Sequence, residues 1–245
     1  EIFPKDFLWV LEPAMSYCGP INFFDTHSEY LLEVVSDTDW PTVAPQGERI
    51  DDVQSDELRR RVRESNPQNS LISAMIDYIL SGSIRWWRSR DHEDESKRKP
   101  YHAFMIHFSR LKIIHSLAEE LSRITFDLVQ SAFHDIFERN LQIDTSSDIE
   151  IMISDRLAKF NHKIEGIRDN PGPIMTLEQL QPYILMVFEE TIHKKLDSSG
   201  EPVNLDYDTE SPEDRVSKAM ILIGGNILSR GLTIQGLTVS YFVRN

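Results

Sequence analysis

From Ser70 onward the apolar positions fall at helical spacing: Ile72, Met75, Ile76, Ile79 and Leu80 share one face, and Asn69 or Ser70 is placed to cap the first turn. The pattern predicts a helix that runs into Trp86 and Trp87 and stops in the charged loop RDHEDESKRKP. An unbroken apolar run follows, AFMIHF at 103–108, of the length of a buried strand. Ser109 then stands where it can cap a helix whose Leu111, Ile114, Ala118 and Leu121 share a face. Strand, capped turn and helix in immediate succession open a βαβ unit. Residues 126–197 read as helical almost throughout, in about three segments, more than one crossover helix requires, and so predict an inserted helical hairpin or subdomain. VNLDYD at 203–208 alternates like a strand, AMILIG (Ala219–Gly224) is a second buried-strand run, and LTVSYFV at 237–243 alternates as a third. Strands separated by helices predict a parallel sheet with helices on both faces.

Ahead of this region, residues 1–35 mix aromatic and apolar residues with Pro and Gly, and 36–69 are polar and carry Pro41, Pro45 and Pro67. They predict an N-terminal extension and connector, 1–69, attached to a single α/β domain, 70–245. The 245 residues suffice for that arrangement, and 40% apolar with 27% charged residues is ordinary for a globular chain. No apolar run reaches the roughly 18 residues needed to cross a bilayer. Cys18 stands alone, which excludes an internal disulfide and fits a reducing cytoplasm. The net charge of -14 argues against a surface devoted wholly to nucleic acid. Arg59–Arg63 (RRRVR), Arg85–Arg90 (RWWRSR) and Lys97–Lys99 (KRK) fit either a local basic track or solvated faces.

The chemistry concentrates in ILIGGNILSRGLTIQGLTVSYFVRN, 221–245. A buried strand ends in Gly224-Gly225-Asn226, where backbone N–H groups can approach a ligand closely. Ser229, Arg230, Gly231 and Thr233 follow on the loop beyond, and ligands of open α/β sheets collect at the carboxyl ends of the strands. Such a loop suits phosphate; it also suits an ordinary glycine-containing connection between strands.

This stretch resembles motif five of superfamily-two helicases, with Arg230-Gly231 at the Arg-Gly position. Thr233 stands where many members carry Asp, and Gly225-Asn226 where many carry Thr-Asp. The fuller wording GGNILSRGLTIQGLTVSYF resembles, more narrowly, the Z-one domain of helicase-like proteins associated with bacterial restriction genes. AFMIHFSRLKIIH (103–115) resembles that family's motif four, and FPKDFLWVLEPAMSYCGPINFF (3–24) its N-terminal segment. The resemblance implies a RecA-like second helicase lobe. That lobe would work with a first lobe in the same polypeptide, with DNA, and with a restriction nuclease subunit. ATP and Mg2+ would be held mainly by the first lobe. His107, Ser109, Arg110, Gly225 and Asn226 would face the DNA backbone; Arg230, Gly231 and Thr233 would face ATP or couple the two sites.

The sequence contains no GxxxxGK[ST] and stops before the position expected for motif six, so no complete catalytic set is expected, and no ATP hydrolysis by this chain alone. The alternative is a non-catalytic scaffold that docks a nuclease subunit. Other signals weigh less. Glu95-Ser96-Lys97 has the form of a nuclease E-x-K, but in the most hydrophilic loop rather than on a strand. His102, His107 and His115 lack ligand spacing on one helix, so no metal is expected. Trp86 and Trp87 read as core packing at a helix end rather than as base-stacking residues.

Overall fold

The computed structural model describes residues 33, 69–107, 112–161, 174–196, 207, 217–225 and 234–242. From residue 69 onward these belong to one compact unit. The expectations for the N-terminal extension and connector lie outside the described residues, as does that for a strand at 203–208 apart from Tyr207.

Helix α1 spans Asn69–Ser89 and ends in the charged loop, where Glu95–Lys97 makes a single 3-10 turn. Strand β1 is His102–His107, and α2 is Lys112–Glu138. Helices α3 (Asp148–Asn161) and α4 (Leu177–Glu190) follow, then β2 (Thr191–Leu196), β3 (Ala219–Gly224) and β4 (Leu237–Phe242). The strands form one sheet in the order β2-β3-β1-β4, with every pair parallel. β1 and β3 are its two central strands, and all six residues of each are buried. The unbroken apolar runs thus mark strands covered on both faces, as the sequence predicts.

Alternation assigns the faces. On the first face Phe104, Ile106, Ile221, Ile223 and Tyr241 share a core with Leu117, Leu121, Val129 and Phe133 of α2. Ile153 of α3, Leu180, Ile184 and Val187 of α4, and Met75, Ile76 and Ile79 of α1 complete it. On the second face Ala103, Met105, Met220, Leu222 and Leu196 form a smaller cluster against Tyr207 and Ile234. The topology accounts for this division. From β1 the chain moves across β3 to the edge position of β2, then reverses through β3 to β4 on the far side of β1. Right-handed crossovers put the outward and the returning connections on opposite faces. Accordingly α2, α3 and α4, which link β1 to β2, pack on the first face. Tyr207, between β2 and β3, and Ile234, between β3 and β4, pack on the second.

The structure departs from the helical reading of 126–197 in two places. The segment from 126 begins no new element: α2 is continuous from Lys112 to Glu138, its apolar face carried on by Val129, Phe133 and Ile136. Thr125, a β-branched residue in mid-helix, donates its hydroxyl to the Leu121 carbonyl at 2.8 Å. At the other end 191–196 is strand, not helix. Thr191 leaves the helix in an extended conformation (φ -71, ψ 124), its N–H still bonded to the Val187 carbonyl, and TIHKKL pairs residue for residue with β3. These helices contribute to the same core as the sheet, with Glu150 and Arg156 of α3 buried in ion pairs with Arg139 and Asp77.

Two close contacts fix β1 in place. The His102 ring lies parallel to Tyr78 of α1 at 4.4 Å, and its Nε2 is 2.7 Å from the Tyr78 carbonyl oxygen. Gly236, at φ +72, starts β4 so close to β1 that an added Cβ would sit 1.8 Å from the Tyr101 carbonyl oxygen. Only glycine meets both demands there.

Candidate functional site

The reversal of strand order places the site. At its carboxyl end β1 leads to α2 on the first face, whereas the chain leaving β3 reaches Ile234 on the second. β1 and β3 are neighbours whose connections run to opposite faces, so their carboxyl ends mark the topological switch point at which open α/β sheets hold ligands. His107 and Gly224 are the last register partners of the two strands, and Gly225 follows, buried, as the chain leaves β3. Two stretches more than a hundred residues apart, marked separately in the sequence, thus converge at one point.

Of the residues expected to face DNA, His107 and Gly225 lie at the carboxyl ends of β1 and β3; Ser109, Arg110 and Asn226 lie outside the described residues. Arg230, Gly231 and Thr233, expected on the ATP side, also lie outside them. His107 is not presented to solvent. It is 6% exposed and stacks on Phe242 of β4, with centroids 5.2 Å apart and planes at 28°. Among the described residues at the ends of β1, β3 and β4, Phe242 reaches solvent, 48% exposed; the sequence reading did not single it out.

Titratable groups elsewhere on the sheet and in the charged loop are held neutral or paired. Burial pushes His102 down to about 3, against the favourable bond to Tyr78 and with the charge of Arg85 adding to the depression. With Nε2 facing a carbonyl, the proton sits on Nε2, and Nδ1 accepts from the Thr238 hydroxyl at 3.2 Å. His193 on β2 is pushed down to about 4 by burial and by Arg123. Neither acts as a cation at neutral pH. The charged loop after α1 is paired within itself: Arg98 binds Glu95 at 3.1 Å and Lys97 binds Asp94 at 3.6 Å. The E-x-K therefore sits on a 3-10 turn, its glutamate in an ion pair. Trp86 is 1% exposed and donates its indole N–H to the Pro100 carbonyl, while Arg90 covers the Trp87 ring at 4.0 Å. Among the described residues no group of three or more His, Cys, Asp or Glu is arranged to hold a metal ion, and no helix is long and apolar enough to cross a membrane.

The topology also exposes a charge pattern along the chain. Residues 99–118 and 215–245, which contain β1, β3 and β4, hold none of the 40 carboxylates. They carry Arg110, Lys112, Arg230 and Arg244 after the carboxyl ends of strands, and Lys99, Arg215 and Lys218 before the amino ends. The acidity of the protein is thus confined to its other segments. Whole-chain charge hides this, and counting by segment would have found it.

No curated protein and no solved structure matches the chain. The family model described as the Z1 domain matches residues 70–245, from the start of α1 through the central strands β1 and β3 to the last residue. With most of its length inside that match, the chain belongs to the Z1 domain family.

Proposed function

We propose that this domain is the second, RecA-like lobe of a helicase-like DNA motor of a bacterial restriction system, working in the cytoplasm. It couples ATP binding and hydrolysis to movement or remodelling of DNA and so licenses cleavage by a partner nuclease. The observation that carries this reading is the convergence of His107 with Gly224 and Gly225 at the switch point between β1 and β3. Their sequences are the two that resemble motifs four and five, and a motor of this kind places those motifs together at one edge of the sheet. Membership of the Z1 domain family and the absence of carboxylates from 99–118 and 215–245 agree with it.

In this reading a first lobe supplies the phosphate loop and the carboxylates that hold Mg2+. Arg230, Gly231 and Thr233 act toward ATP or couple it to DNA. Phosphoryl transfer depends on positioned cations and backbone donors around the phosphates, so this chain supplies half of the required set. The competing reading, a scaffold that docks a nuclease subunit, draws on the acidity of the remaining segments. The test uses the polypeptide that carries both lobes. Arg230→Ala is expected to lower DNA-stimulated ATPase by about 10-fold or more, about 1.4 kcal/mol of transition-state stabilisation, with unchanged thermal melting. A variant that melts and hydrolyses ATP like the wild type would remove this loop from the motor and favour the scaffold.

A further inference from the structure

We infer that Phe242 is a stacking platform for a base of single-stranded nucleic acid, mounted on His107 at the carboxyl edge of the sheet; the inference rests on the nucleic-acid reading above. Phe242 is the last residue of β4, in register with His107 at the end of β1, and the side chains of both project on the second face. One side of the Phe242 ring is held against the buried imidazole, and among the described residues that is its one ring contact. Its exposure of 48% therefore belongs to the remaining side and edge. An aromatic ring backed by a buried ring has little freedom left to lose when a ligand stacks on it.

Position and surroundings choose the ligand. The platform lies at the carboxyl end of β4 beside that of β1, and the sequence carries cations without carboxylates after both strands, Arg244 after β4 and Arg110 and Lys112 after β1. Aromatic faces beside cations are how sequence-tolerant sites hold single strands: the bases stack and the phosphates are neutralised. Along the same edge strand Leu237, Thr238 and Ser240 are exposed, so the platform is an open ledge. A free nucleotide is held by enclosure, whereas a strand held at several points can pass over a ledge. The other aromatic pair beside cations, Trp86 and Trp87, reads in the sequence as core packing, and the structure commits Trp86 to the core and lays Arg90 over Trp87.

The experiment measures binding of the full chain, at low salt, to a fluorescein-labelled thymidine oligonucleotide and to an abasic strand of equal length and charge. Wild type is expected to prefer the intact strand by about fivefold or more, the range of one stacked base. Phe242→Ala is expected to bind the two strands nearly alike, and Phe242→Trp to keep the preference. Phe242→Leu keeps an apolar side chain in case alanine disturbs the edge strand, and should lose the preference while melting like wild type. An intact-to-abasic ratio unchanged in Phe242→Ala or Phe242→Leu would overturn the platform and leave the nucleic-acid reading standing. A wild type that binds neither strand would overturn both. Displacement of the oligonucleotide by free thymidine monophosphate that depends on Phe242 would assign the ring to a free nucleotide and overturn the strand as its ligand.

Discussion

At the scale of single residues the molecule is organised around His102. In sequence it is one of three histidines in a short span that lack ligand spacing; in the structure it is fully buried and clamps β1 to α1 and β4. Gly82 of α1 leaves just enough room for the ring, since a Cβ there would come within 2.6 Å of the imidazole Cδ2. The consequence is a pH dependence of fixed sign. The unfolded chain protonates this histidine near 6.5, whereas in the folded protein it stays neutral down to about 3. Between those values the unfolded state holds one more proton, so stability falls as pH falls. The contribution is complete above about pH 6.5 and is lost toward pH 3, at up to about 1.4 kcal/mol per pH unit. His193, pushed down to about 4, acts in the same direction, with a smaller effect because solvent reaches part of it. Urea unfolding at a series of pH values between 7 and about 4 checks this. His102→Gln should be less stable than wild type at pH 7 and should lose stability less steeply on acidification. Parallel slopes for the two proteins would show that His102 is not the group responsible.

At the scale of elements, local and tertiary signals separate cleanly. Helix α4 is started by a local device: the Thr176 side chain accepts from the Gln179 N–H at 3.3 Å, and the Gln179 side chain accepts from the Thr176 N–H at 3.2 Å. This reciprocal cap satisfies two helix-start donors. Thr176→Ala should therefore cost about 1 kcal/mol, while Thr176→Ser costs little, both read from urea midpoints at constant slope. Equal midpoints for Thr176→Ala and wild type would mean the helix start is held from elsewhere, by the paired bonds of Asn161 to Met175. Devices of this kind are legible because every participant lies within a few residues. The same holds for β1 and β3, whose unbroken apolar runs report burial on both faces directly. β2 was not legible. TIHKKL follows α4 without Gly, Pro or a polar break, and Lys194 and Lys195 are good helix formers; its strand form comes from pairing with β3, a partner more than twenty residues ahead. The candidate site was legible in part for the same reason. Gly224, Gly225 and His107 stood out from their own neighbourhoods. Phe242 did not, because nothing near it in sequence reveals the ring it stacks on.

At the scale of the whole molecule, charge and topology act together. A net charge of -14 opposes nucleic-acid binding at long range, while the acid-free segments around the switch point place Arg110, Lys112, Arg230 and Arg244 after the strands that build it. A local basic edge on an acidic body should bind duplex DNA weakly and lose that binding steeply with salt, since each neutralised phosphate releases counterions and the acidic remainder adds no contacts. If Arg110, Lys112 and Arg244 make the contacts, the slope of log K against log salt should lie at about -2.7, about -0.9 for each. Arg110→Ala, Lys112→Ala and Arg244→Ala should each make the slope shallower by about 0.9. Lys97→Ala should leave it unchanged, because Lys97 is paired with Asp94 in a loop whose acidic residues cancel its cations. Fluorescence anisotropy of the full chain with a labelled duplex over a range of salt concentrations measures both the slope and its change. A slope shallower than about -1, or a loss on Lys97→Ala equal to that on Arg110→Ala, would show that DNA is not held at the carboxyl edge of the sheet. Tight binding that persists at high salt would point to a site that reads bases directly, because apolar and hydrogen-bonded contacts to base edges are not screened as phosphate contacts are.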